Sequence, residues 1–243
     1  MSQVRRRFKM PNTHSLDLEL SSSQYAGIAD GSQTGLDITG NLTIEAWLKP
    51  ESQPGLNTER AFVSKYAEPG NQRGYLFEYI DSGGVKKLRL VISDDGVDVD
   101  TFTFNQTLSD GVWYHVSVVW TAASSTGEIF VNGVSIGSSS GTRTSIHNST
   151  GDFRIGTDMR TAPTYFDGLI DDVRVWNTTK TGAQILSTMR TEIDTATNLQ
   201  GSWHLNNGYT DSSGNNNTLT ASGSPTFSTD VPFTGSNGFL SFM

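Results

Sequence analysis

Carboxylates are the residues of this chain best placed to do chemistry. Asp171 and Asp172 interrupt an apolar run in the stretch 165–177, YFDGLIDDVRVWN, and further acids stand at Asp94-Asp95 and from Asp98 to Asp100. Two carboxyl groups held roughly 5 to 10 Å apart can cleave a glycosidic bond. Oxygen ligands numbering about six to eight can hold Ca²⁺. The upstream acids lie between apparent strands beside Gly96, where a solvated acidic loop is expected. Ser93-Asp94-Asp95-Gly96 also misses the Ser-x-Asp-x-Gly spacing of an Asp box. His14, His115, His147 and His204 are scattered without metal-ligand spacing, so structural roles are expected for them. There is no cysteine, which excludes a disulfide framework, a thiolate nucleophile and a thiolate metal site. Nothing matches a Gly-x-Ser-x-Gly elbow or a phosphate-cradling loop. The chain reads as non-enzymatic.

These residues need a frame, and short strands supply it. Leu169, Ile170, Val173, Val175 and Trp176 read as a buried strand. Strict alternation would put Ile170 and Val173 on opposite faces, so a β-bulge at the aspartates is expected. Alternating or β-branched runs mark further strands at 15–20, 24–29, 42–49, 61–66, 74–80, 87–93, 99–104, 113–120, 128–131, 134–136, 153–156, 199–205 and 217–221. Asn132-Gly133 supplies the positive φ angles of a type I′ hairpin turn, and Asp81-Ser82-Gly83-Gly84 joins two other strands. One short helix is expected near 180–193, with Ala183, Ile185, Leu186 and Met189 at helical spacing. The fold class is therefore all-β: a two-sheet antiparallel jelly-roll sandwich with that single helix.

Charge separates the body from its flanks. The formal net charge is −8, which argues against nucleic acid as a partner of the body. Arg5, Arg6, Arg7, Phe8 and Lys9 form a basic arm, expected to dock on a partner, within a segment 1–14. The domain proper is read as 15–233, followed by an apolar tail, 234–243, with Phe239, Leu240 and Phe242. No apolar stretch follows the basic cluster, so no signal peptide is read. No apolar run approaches membrane-spanning length, and no membrane partner is expected.

The order of landmarks resembles the laminin-G-like domains of the concanavalin A-like lectin/glucanase superfamily. SLDLELSSSQYAGI, LTIEAWLKP, GVWYHVSVVW, GEIFVNGVSIG, FDGLIDDVRVWN and LQGSWHLNN follow one another across roughly residues 15 to 233. The resemblance implies a jelly roll that binds glycans or proteins and is mostly non-catalytic. The Glu-x-Asp-x-x-Glu strand of its β-glucanase relatives is absent here. It also implies one structural Ca²⁺. The candidate ligands are Asp171 or Asp172 at the bulge together with Asp30; the alternative is that Asp172 pairs with Arg174 or caps a turn. Glycan sites stack sugar C–H faces on aromatic rings, which makes Tyr66 and Tyr165 candidates, with Asn71 and Arg73 in a polar loop beside Pro69-Gly70. The expected function is a non-catalytic surface-decorating module of a virus-like particle, on the virion surface, that contacts host glycans. The alternative is a lectin-like module of a cell-surface or secreted protein. A homo-oligomer or a larger particle is the expected assembly.

Overall fold

The computed structural model describes residues 11–234. The basic arm Arg5, Arg6, Arg7, Phe8 and Lys9, and the tail beyond residue 234, lie outside the described residues. In chain order the strands are β1 (Ser15–Leu18), β2 (Tyr25–Ile28), β3 (Leu42–Pro50), β4 (Glu59–Ala67), β5 (Gln72–Ser82), β6 (Val85–Ile92), β7 (Asp100–Asn105) and β8 (Tyr114–Thr121). There follow β9 (Thr126–Val131), β10 (Val134–Ser140), β11 (Phe153–Ile155), β12 (Gly168–Trp176), helix α1 (Gly182–Thr188), β13 (Leu199–Trp203), β14 (Thr220–Ser222) and β15 (Thr226–Ser228). One sheet runs β10-β9-β8-β3-β12-β1-β15, with β13 also paired to β12; the other runs β14-β2-β11-β4-β5-β6-β7. The expected antiparallel sandwich is what the chain forms.

Between the sheets, Leu16, Ile44, Leu48, Val118 and Ile170 of the first meet Phe62, Phe77, Leu90, Phe153 and Ile155 of the second. Phe153 stacks on Trp203 across this interior, with centroids 4.9 Å apart. Burial of such side chains stabilises the fold by about 1.5 to 3 kcal/mol each, and both layers depend on it.

β12 is where the expected bulge occurs. Its register against β3 jumps from Asp171↔Trp47 to Arg174↔Glu45, so Asp172 and Val173 together face Ala46. Asp172 takes φ +44°. The extra residue returns the strand to phase, and Ile170 and Val173 both enter the core.

The helix is shorter than its periodicity implied. Thr181 and Gln184 form a reciprocal capping box at its start, and Ile185 packs on Val119 and Phe130. The buried guanidinium of Arg174 donates to the carbonyls of Thr188 (3.3 Å) and Thr191 (2.6 Å). After Thr188 the chain closes one last turn, Thr191 N donating to the Thr188 carbonyl at 3.0 Å, and passes over Arg174. The last expected strand, 217–221, is displaced to β14, because Asn217 is spent on tying the preceding loop to Thr34 and Gln200. β15, which lacked a periodic signal, pairs along the edge of β1. Among the described residues no helix is long and apolar enough to cross a membrane.

Candidate functional site

Period two decides what the outer face of the second sheet carries. On β5, Tyr75, Phe77 and Tyr79 point into the core, so Leu76 and Glu78 point out. On β6, Leu88, Leu90 and Ile92 point in, and Arg89 and Val91 point out. Two irregularities in β4 bring Ala61 and Tyr66 to the same outer side, where they pack with Leu76 and Val91 as an apolar strip. Beside the strip stands an ion network. Glu78 and Arg89 are direct cross-strand partners, and Arg89 Nε donates to Glu78 Oε1 at 2.6 Å. Arg89 also binds Glu59, and Arg160 binds both Glu59 and Glu78. Arg160 Nε lies 2.7 Å from Asp158 Oδ2.

Arg160 arrives on a loop stitched to the end of β4: Met159 N donates to the Tyr66 carbonyl at 3.0 Å, and Glu68 N donates to the Met159 carbonyl at 3.1 Å. Asp158 accepts from Arg160 N and from Thr164 Oγ1, each at 3.0 Å, which fixes the loop's turn. Burial pushes Glu78 up to about 7 against the pull of Arg89. Burial likewise raises Asp158 to about 6 and lowers Arg160 to about 10. Strip and network together border a cavity of about 220 Å³, lined by Tyr66, Glu68, Leu76, Glu78, Arg89 and Val91, with Val99, Thr101 and Arg160 at its margins.

The aromatic and polar candidates read from the sequence fall partly here. Tyr66 lines the cavity with its ring in the strip. Arg73, the register partner of Tyr66, donates to the Val97 carbonyl and stands 3.8 Å from Glu68. Asn71 holds the adjoining turn at φ +58°. Tyr165 is not at the cavity. It pairs with Thr157 to close the loop that carries Arg160. The residues that sequence reasoning missed are Glu59, Glu78, Arg89, Asp158 and Arg160. Asp94, Asp95 and Asp100 serve turns, as expected of an acidic loop: Asp95 accepts from Val97 N and Asp98 N, Asp100 from Thr142 N and Arg143 N, and Asp94 pairs with Arg143.

The proposed calcium set of Asp30, Asp171 and Asp172 does not come together. Asp30 is neutralised by Lys65, whose buried ammonium sits 2.6 Å from Asp30, 2.9 Å from Asp37 and 2.9 Å from the Gly151 carbonyl. A lysine thus fills the position a cation would take. Asp171 accepts from the buried amide of Asn12 at 2.7 Å, and burial holds its carboxyl well above the usual range. Asp172 faces Arg174 and lies 3.2 Å from His204 Nδ1. Burial would raise Asp172, but Arg174 and His204 more than offset it and leave it lowered. The carboxylates that do converge are Asp17, Glu19 and Glu51, with oxygens within 4.8 Å of one another, an arrangement that could hold an ion. Glu51 is raised there by burial and by the neighbouring Asp17.

Around Asp172 the outer face of the first sheet is closed over. Trp47 donates to the Met189 carbonyl at 2.7 Å and packs on Met189 and Phe233. His204 reaches Asp194 with its other nitrogen at 3.1 Å. Residues 12–14, read as the end of the arm, lie on this face, where Asn206 accepts from Thr13 N at 2.7 Å and His14 N at 3.1 Å. His115 is fully buried against Trp47, and burial lowers it to about 3, so it is a neutral core side chain.

Known proteins share this architecture. Human neuronal pentraxin-2 is 28% identical over 131 residues; the match covers 54% of this chain and about a quarter (27%) of that protein. A putative carbohydrate-binding protein from Bacteroides ovatus superposes with a TM-score of 0.71 at 18% identity, covering 91% of this chain and 61% of that one. The heptameric SAP-like pentraxin of Limulus polyphemus gives 0.61 at 15% identity, with 89% and 94% covered. The CBM40 of Ruminococcus gnavus IT-sialidase, bound to α2,3 sialyllactose, gives 0.55 at 15% identity, with 73% and 97% covered. At these identities the superpositions speak for fold. A family model, Laminin_G_3, matches residues 20–186, and by that match the chain belongs to the concanavalin A-like lectin/glucanases superfamily.

Proposed function

We propose that this chain is a non-catalytic carbohydrate-binding module whose saccharide site is the cavity on the outer face of the second sheet. The observation that carries this is the meeting of an apolar strip with fixed polar groups in one open depression: Tyr66, Leu76 and Val91 on one side, Glu78, Arg89 and Arg160 on the other. A sugar ring presents a C–H face and a rim of hydroxyls, and such a surface matches both. Neighbours of the same fold include a putative carbohydrate-binding protein and a module bound to sialyllactose. Catalysis is disfavoured by the way the acids are held. Glu78 is sealed, with both oxygens engaged by guanidinium groups, whereas a glycosidase acid must deliver a proton to the leaving oxygen.

Amide shifts on titration with an oligosaccharide panel test the site. Perturbation centred on Tyr66, Leu76 and Val91 is expected; shifts confined to other surfaces would remove it. Release of reducing sugar from any bound oligosaccharide would overturn the non-catalytic assignment. For setting, the surface of a virus-like particle is our proposal, motivated by the basic and apolar segments that flank an acidic body. Light scattering at near-physiological salt should give a mass well above the chain's 26.4 kDa; a monomer would count against it and favour a free lectin-like module.

A further inference from the structure

We infer that the saccharide held in this cavity is uncharged, a neutral oligosaccharide rather than a uronate, sulfated or sialylated one. The inference rests on the cavity being the binding site, as proposed above, and adds the chemical class of its ligand. Recognition of an acidic sugar needs a cation with free donors, usually a guanidinium offering a bidentate face. Here each guanidinium at the site is already opposed. Arg89 is shared between Glu59 and Glu78, and Arg160 between Glu59, Glu78 and Asp158. Arg73 is turned onto the Val97 carbonyl and faces Glu68. Four carboxylates, Glu59, Glu68, Glu78 and Asp158, thus stand against three guanidinium groups. An incoming anion would have to break a part-buried pair to find a partner.

A hydroxyl faces no such barrier. It donates to Glu68, 30% exposed, or accepts from an outer N–H of Arg89 or Arg160, without displacing either pair. Val99, 37% exposed, then offers the apolar side on which an uncharged ring can rest, with Tyr66, Leu76 and Val91 reaching the cavity only by their edges.

The test is calorimetric titration of the full chain with neutral oligosaccharides (galacto-, arabino-, xylo- and gluco-series) and with oligogalacturonate and 3′-sialyllactose. Binding of a neutral series is expected, with acidic sugars weaker by about tenfold or more. Thr101→Trp, an exposed change that fills the cavity margin, should abolish that binding. Val99→Arg, at a position 37% exposed, adds an unopposed cation and should narrow the gap between the two classes. Acidic sugars binding as tightly as neutral ones, in a manner that Thr101→Trp abolishes, would overturn the inference of a neutral ligand and leave the site standing. Binding that Thr101→Trp leaves unmoved, or no binding by any sugar, would overturn the site itself and the inference with it.

Discussion

On the outer face of the first sheet, Arg174 stands between Asp172 and Glu45 with no exposure at all. On the outer face of the second, Arg89 and Arg160 hold Glu59 and Glu78 with 21% and 12% of their side chains open to solvent. Both faces thus place guanidinium groups between carboxylates projecting from neighbouring strands. What differs is the cover. α1, the crossing segment after it and residues 12–14 lie over the first network, while nothing described lies over the cavity beside the second. The same device serves as an internal fastening in one place and as the floor of the proposed recognition surface in the other. Cover, rather than residue type, separates them.

Breaking each network should expose that difference. Arg174→Met leaves Asp172 and Glu45 buried without their cation, and a loss of about 3 to 5 kcal/mol of unfolding free energy is expected by chemical denaturation. Arg89→Met removes a cation that solvent can partly replace, so a smaller loss, about 1 to 3 kcal/mol, is expected in the same assay. Equal losses would erase the distinction between a sealed and an open network.

The pH response sharpens it further. Glu78 is raised from 4.5 to about 7, chiefly by burial. His204 is raised above 6.5, burial pulling it down but the hydrogen bonds to Asp172 and Asp194 and the charges of Asp172 and Glu192 prevailing. A raised pKa means that the folded chain holds the proton more tightly than the unfolded one. Each group's contribution is then complete at acid pH and is lost as pH rises, between about 4.5 and 7 for Glu78 and above 6.5 for His204. The melting temperature should therefore fall across neutrality. Glu78→Gln should flatten the lower window and His204→Asn the upper one, and thermal melts over a pH series would show whether the two windows separate.

Legibility in the sequence followed periodicity. The sandwich, its antiparallel order and the bulge in β12 could be read because Ile170 and Val173 are apolar at the wrong spacing, with two acids between them. The alternative that Asp172 pairs with Arg174 could be read from their closeness in sequence. The candidate site was legible only in pieces. Glu78 and Arg89 occupy outward positions of strands that alternation identifies, but their meeting depends on the register of the β5–β6 hairpin. Arg160 comes from a loop, TDMRTAP, whose sequence carries no period at all. The calcium set failed for a related reason: that Lys65 reaches Asp30 is a fact of sheet order, since β11 brings Gly151 and β4 together, and no local pattern announces it.

The bulge at Asp172 has a bearing on length changes in the chain. Without Asp172, β12 would read Ile170, Asp171, Val173, Arg174, Val175, Trp176 in perfect in-and-out alternation, with every other side chain on the face it now occupies and in the same register against β3. Deleting Asp171 would give the same chain, because the two adjacent residues are both aspartate, whereas deletion outside the bulge would swap the faces of the residues between it and the bulge. The extra residue therefore contributes nothing to pairing. What it adds is a buried carboxylate placed against Arg174 and His204, so that a one-residue shortening of the bulge would keep the ladder with β3 and lose that charge.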